Sequence, residues 1–174
     1  MLYAGQPMNR LQSFRPRAQA CKSAAFLPHM KARDMAHIHV INGPNLNLLG
    51  TREPEQYGST TLSDIEHMLA SLAAAGSHTL TFKQSNIEGE LIGFVQEAGA
   101  SDGVILNAAA YTHTSVGLRD AVAAIKPPVI EVHLSNIYAR EAFRHHSLIA
   151  PVSKGMITGL GASGYRLAFE AILD

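Results

Sequence analysis

Cysteine is almost missing from this chain, with one, Cys21, in 174 residues. A single thiol excludes an internal disulfide framework and a thiolate metal site, and it fits a reducing cytoplasm. Long hydrophobic runs are missing too. None approaches the roughly 20 apolar residues that a membrane span needs, so no membrane partner is expected. No Walker A sequence and no G-x-G-x-x-G occurs, and the glycine-rich stretch Gly155 to Gly164 comes too late to be a phosphate loop after a first strand. H-E-x-x-H is absent as well. The adjacent His145 and His146 would point to different sides of a helix, so no metal is expected.

Net charge is zero, but it is unevenly spread. Residues 1–35 hold six Lys or Arg and one acid, Asp34, leaving eight basic and 13 acidic residues in the body. An acidic body gives no reason to expect nucleic-acid binding. The basic segment superficially resembles an organelle transit peptide but has no continuous apolar stretch of a secretory signal. Met30 and Met35 both stand just before the first strand. Residues 1–35 are therefore expected to be a disordered or non-native leader, and residues 36–174 a single domain.

What remains is 47% hydrophobic and 16% charged, enough for a sizeable core. From His37 onward, short apolar runs alternate with helical patterns. Ile38-His39-Val40-Ile41, Thr79 to Phe82, Gly103 to Leu106, Val129 to Val132 and Met156 to Thr158 read as strands. Between them, Leu62, Ile65, Leu69 and Leu72 share a helical face, opened by a Thr61/Asp64 capping box and stopped at Gly76. Asn86 is placed to cap a second helix, residues 114–125 form a third before Pro127-Pro128, and residues 163–172 close the chain. Strands separated by helices pair in parallel through right-handed crossovers. The expected fold is α/β, a flavodoxin-like, doubly wound three-layer sandwich with a five-stranded parallel sheet in order 2-1-3-4-5.

In such sheets ligands bind beyond the carboxyl ends of the strands. Asn45, Arg52 and Tyr57 follow the first strand. A lone tyrosine is ordinarily a surface aromatic. Here Arg52 sits five residues away on the same long loop, and a cation favours ionised tyrosine, which makes a general base. Glu131 and His133 end the fourth strand, where alternation puts both side chains on one face. A carboxylate orients an imidazole and favours its protonated form, which suits a general acid; the alternative is a structural histidine. Leu134 and Ser135 open a segment that, if helical, offers free amides to an anion such as a carboxylate. Arg140 and Arg144 are spaced to share its face, as site cations or as a solvated surface. Asn107 and His113 follow the third strand and could hold hydroxyls.

These residues fall in four ordered motifs. They are Ile41-Asn42-Gly43-Pro44-Asn45-Leu46-Asn47-Leu48-Leu49-Gly50-Thr51-Arg52-Glu53-Pro54 with Tyr57-Gly58, and Gln84-Ser85-Asn86 with Glu88-Gly89-Glu90-Leu91. The third is Ile105-Leu106-Asn107-Ala108 with Thr112-His113-Thr114-Ser115 and Leu118-Arg119-Asp120. The fourth runs from Val129 to Asn136, with Ala139-Arg140-Glu141 and Phe143 to Ser147. Over about residues 38–172 the chain resembles the type II 3-dehydroquinate dehydratases.

The resemblance implies trans dehydration of 3-dehydroquinate to 3-dehydroshikimate through an enolate, without a cofactor, in shikimate synthesis or quinate breakdown. It implies Tyr57, held as tyrosinate by Arg52, as the base at C2, and His133, oriented by Glu131, as the acid at the C1 hydroxyl. A water near Asn45 would stabilise the enolate. Asn107 would hold a hydroxyl and His133, the Leu134 and Ser135 backbone the carboxylate, and His113 and Arg144 ring hydroxyls. Asp120 would reach a neighbouring subunit of a trimer-built dodecamer. Two departures stand out: Ala109-Ala110 occupy positions where the family often has glycine, and Leu134 replaces a common isoleucine. The body lysines Lys83, Lys126 and Lys154 lie outside the motifs, against the lysine Schiff base of type I dehydratases.

Overall fold

The computed structural model describes residues 35–51 and 60–174. The leader expected over residues 1–35, Met35 apart, and the loop positions Arg52 and Tyr57 lie outside the described residues. Strands β1 (His37–Asn42), β2 (Thr79–Gln84), β3 (Gly103–Asn107), β4 (Val129–His133) and β5 (Gly155–Thr158) form one sheet. All pairings are parallel, in the order β2-β1-β3-β4-β5, as the alternation of elements implies.

Strand alternation divides the core into two layers. Ile38 and Val40 of β1, Ile105, Ile130 and Val132 pack under helices α1 (Leu62–Ala75) and α4 (Ser163–Leu173), against Ile65, Leu69, Tyr165, Phe169 and Ile172. Ile41, Val104, Leu106 and Val129 face the other way. They meet α2 (Glu88–Glu97) and α3 (Val116–Ala124) through Leu91, Val95, Leu118 and Val122. A sheet apolar on both faces is what a parallel sheet needs. Among the described residues no helix is long and apolar enough to cross a membrane.

The helix ends show where local signals hold and where longer contacts win. Thr61 and Asp64 make the full capping box. Asn86 does not cap α2. Its side-chain oxygen instead accepts from the amides of Asn45 (2.9 Å) and Gln84 (3.0 Å), while Ser85 Oγ takes the Ile87 N–H. The third helix is shorter than the expected 114–125: a 3-10 turn over Ala109–His113 precedes it, and Ser115 caps it through the Leu118 N–H. Between β4 and β5 there is no continuous helix. Three 3-10 turns, Ile137–Ala139, Ala142–Arg144 and Ala150–Val152, take its place, the first two separated by Arg140 and Glu141 in extended conformation.

One buried group in this core carries a pH dependence. His39 is 4% exposed on the α2 side of β1, with its Nδ1 buried and without a hydrogen-bond partner. Its ring lies 4.8 Å from that of His37, and the Lys83–Glu97 ion pair lies on the adjoining β2 and α2. Burial, then His37 and Lys83, hold its pKa below the ordinary 6.5 against the opposing pull of Glu97. The unfolded chain therefore binds this proton more readily than the folded one. The stability it confers is complete above the unfolded value and is lost as pH falls through the window below it. Urea midpoints measured from about pH 7.5 to 5.5 are expected to fall in the native chain and to fall less in His39→Val. Equal slopes in the two proteins would exclude His39 as the source.

Candidate active site

The carboxyl ends of β1, β3 and β4 open onto a cavity of ≈ 830 Å³, a volume that includes the open solvent at its mouth. Asn45 and Leu49 line it from the segment after β1, and Asn107, Ala109 and His113 from the segment after β3. His133, Leu134, Ser135, Arg140 and Arg144 line it from the segment after β4. Seven sequence-predicted site residues separated by up to 99 positions, Asn45, Asn107, His113, His133, Leu134, Ser135 and Arg144, are thus gathered in one wall, as the sheet topology requires.

Backbone shape is part of the wall. Asn45 and Ala109 both lie in the left-handed region, at φ 66° and 51°. Asparagine tolerates this and alanine does not, so Ala109 stores local strain beside the cavity. Gly43 is required for a different reason. A Cβ there would sit 2.5 Å from the Ala108 carbonyl oxygen, at the point where the Gly43 N–H donates to Asn107 O (2.7 Å).

At the floor, Glu131 is fully buried and His133 is 6% exposed. His133 Nε2 lies 2.7 Å from Glu131 Oε1, so the shared face inferred from alternation holds. Two hydroxyls that carried no role in the sequence also reach the carboxylate. Thr112 donates to Oε1, and Ser147 donates to Oε2 at 2.9 Å and Oε1 at 3.0 Å. The His113 ring stacks on that of His133, centroids 6.4 Å apart and planes 15° off parallel, with its Nδ1 2.8 Å from His146 O.

Asn107 is held rigidly. Its amide nitrogen donates to the Tyr165 hydroxyl (2.8 Å) and its oxygen accepts from the Ala109 N–H (3.2 Å). Tyr165 in turn donates to Asn42 Oδ1 (2.7 Å), tying the paired ends of β1 and β3 to α4. Burial pushes this phenol far above its ordinary range, so it stays a neutral donor. Tyr165 was hidden in the apolar pattern of the closing helix. The Asn107 amide makes no bond to His133 among the described residues; the two share the cavity wall.

Beyond β4 the expectation of free helical amides is corrected. The Ile137 N–H donates to Thr158 Oγ1 (3.3 Å) and the Tyr138 N–H to Asn136 Oδ1 (3.1 Å), so both are already taken. These bonds, and the break at Arg140, replace the helix. Arg140 nonetheless lines the cavity with Arg144; Arg140 Nη1 donates to Ser135 Oγ (3.3 Å) and Arg144 Nε to Glu141 (2.9 Å). Asp120 does not line this cavity. It lies exposed on α3, paired with Arg119 at 2.7 Å. No lysine is among the lining residues described.

Fold and site together define a doubly wound α/β protein with a carboxylate-backed histidine at the carboxyl edge of its sheet. The chain belongs to the class II dehydroquinases: the model of the family described as "Dehydroquinase class II" matches residues 36–173. It is 58% identical over 137 residues to the 3-dehydroquinate dehydratase of Dinoroseobacter shibae, covering 78% of this chain and 91% of that one. Against the 3-dehydroquinate dehydratase of Azorhizobium caulinodans it is 56% identical over 135 residues, 78% of this chain and 92% of the relative. The crystal structure of the type II dehydroquinase from Butyrivibrio crossotus superposes with a TM-score of 0.79 at 40% identity, covering 82% of this chain and all of the other.

Proposed function

We propose that this chain is a hydro-lyase that dehydrates 3-dehydroquinate to 3-dehydroshikimate by trans elimination, in shikimate synthesis or quinate breakdown. The observation that carries the reading is the cavity-lining His133 backed by the buried Glu131 in a class II dehydroquinase domain. The substrate is a six-membered ring bearing a carboxylate, a ketone and hydroxyls. Loss of water needs one group to take a proton from C2 and another to give a proton to the C1 oxygen.

Tyr57, as the phenolate held by Arg52, removes the C2 proton. The electron pair moves into the C3 carbonyl, giving an enolate beside a water held near Asn45. When the pair returns, C1=C2 forms and the C1–O bond breaks toward oxygen, which takes a proton from His133 and leaves as water. Atoms and charge balance without a cofactor. The Leu134 and Ser135 amides take the carboxylate, while the Ile137 and Tyr138 amides further along are held by Thr158 and Asn136. His113, Arg144 and Asn107 hold ring hydroxyls from the wall they share. Asp120, exposed on α3, is read as a contribution to the site of a neighbouring subunit in a trimer-built dodecamer, in the cytoplasm.

The decisive assay mixes purified protein with 3-dehydroquinate and follows the ultraviolet absorbance of the conjugated product. Turnover is expected, and it is expected to survive borohydride. Absence of product would sink the reading; borohydride inactivation with substrate would replace it with imine chemistry on a lysine.

A further inference from the structure

We infer that Thr112 and Ser147 are positioning residues that keep Glu131 an acceptor-only carboxylate, and so fix His133 in the form whose Nδ1, not Nε2, hands over the proton. This rests on the reading of His133 as the acid.

The argument is a count of hydrogens. A serine hydroxyl has one hydrogen and two lone pairs. The Ile149 and Ala150 N–H groups donate to Ser147 Oγ at 3.0 and 2.9 Å, which occupies both lone pairs. Its single hydrogen is left for Glu131, at 2.9 and 3.0 Å from the two carboxylate oxygens. Thr112 Oγ1 lies 2.9 Å from Ser147 Oγ but has no lone pair there to donate into. Its hydrogen therefore also goes to Glu131 Oε1. The Leu148 N–H, donating to Thr112 O at 2.8 Å, locks the two hydroxyl-bearing segments together.

A carboxyl hydrogen on Glu131 would leave the Thr112 hydrogen without an acceptor in a fully buried site, and His133, protonated as the acid, has no lone pair to take it. The group is thus an acceptor, and His133 Nε2, 2.7 Å from Oε1, is its third donor. That commits the Nε2 hydrogen. Nδ1 has no protein partner among the described residues, and it is not sealed off: the one buried side-chain N or O atom without a partner there is Nδ1 of His39. His133 lines the cavity, so Nδ1 is the nitrogen that substrate can reach. In the elimination the C1 oxygen takes the Nδ1 proton as the C1–O bond breaks, and His133 is left neutral with its Nε2–H still on Glu131.

Thr112 is the cleaner residue to change, because Ser147 also satisfies two amides. Thr112→Val keeps the shape and removes the hydroxyl. Its kcat is expected to fall about ten- to a hundredfold with KM little changed. Its pH profile should change as well, since the carboxylate that faces His133 has lost one of its hydrogen-bond donors. Thr112→Ser should restore both. If His133→Ala collapses while Thr112→Val keeps native kcat and pH profile, this inference is overturned and the acid assignment stands. Native activity in His133→Ala overturns both. Independently of any variant, nitrogen NMR of the ¹⁵N-histidine-labelled protein at alkaline pH should show neutral His133 as the Nε2–H tautomer; an Nδ1–H tautomer would overturn the inference.

Discussion

His133→Ala is expected to keep exchanging the C2 proton of 3-dehydroquinate with solvent while releasing almost no product. The two halves of the reaction use different groups. Proton removal at C2 is the work proposed for Tyr57, and protonation of the departing C1 oxygen the work proposed for His133. Without the imidazole, hydroxide must leave unprotonated, and general acid catalysis is ordinarily worth about 10²–10⁴-fold. The enolate then returns to substrate and takes back a proton, or a deuteron in heavy water. Incorporation of deuterium at C2, read by NMR, should therefore outpace product formation by orders of magnitude. The variant should fold. Glu131 loses one of its donors but keeps Thr112 and Ser147, so the expected cost is about 1–3 kcal/mol. Product at the native rate would remove His133 from the chemistry. Loss of exchange as well, with binding intact, would move its role to the first step.

The shared face of Glu131 and His133 was legible from the chain because strand alternation is a local rule. Val129-Ile130-Glu131-Val132-His133 is a short apolar run with two polar residues two apart, and a strand can only put them on one side. Parallel pairing followed from the alternation of elements, the strand order from the flavodoxin-like arrangement chosen for it, and the cavity from where a parallel sheet exposes its loops. Local rules fail where distant partners compete. Asn86 reads as a helix cap and serves Asn45, 41 residues away. The segment after Ser135 reads as a helix and is drawn into short turns by Thr158, on the next strand. The hydroxyls of Thr112 and Ser147 meet Glu131 from 19 and 16 residues away. No periodicity or capping pattern marks them, because their role exists only once β3 and β4 are paired. Tyr165 was invisible for the complementary reason: a helix face that buries a phenol looks the same in sequence as one that buries a phenylalanine.

Tyr57→Phe is expected to abolish C2 exchange and dehydration together, which no substitution at His133 should do. Phenylalanine keeps the ring and loses only the oxygen, so KM should change little while kcat falls at least about 10²–10⁴-fold, the usual worth of a general base. The demand on this residue is severe. An ordinary tyrosine ionises near pH 10, so at neutral pH only about one molecule in a thousand carries the phenolate. The role proposed for Arg52 is to close that gap, since a nearby guanidinium favours the charged form. Arg52→Gln should therefore lose activity at neutral pH and recover part of it as pH rises toward the ordinary tyrosine value, whereas Tyr57→Phe should not recover at any pH. A phenylalanine variant that still exchanges the C2 proton would show that another base does this step. An Arg52 variant with a native pH profile would show that the phenolate is made without its help.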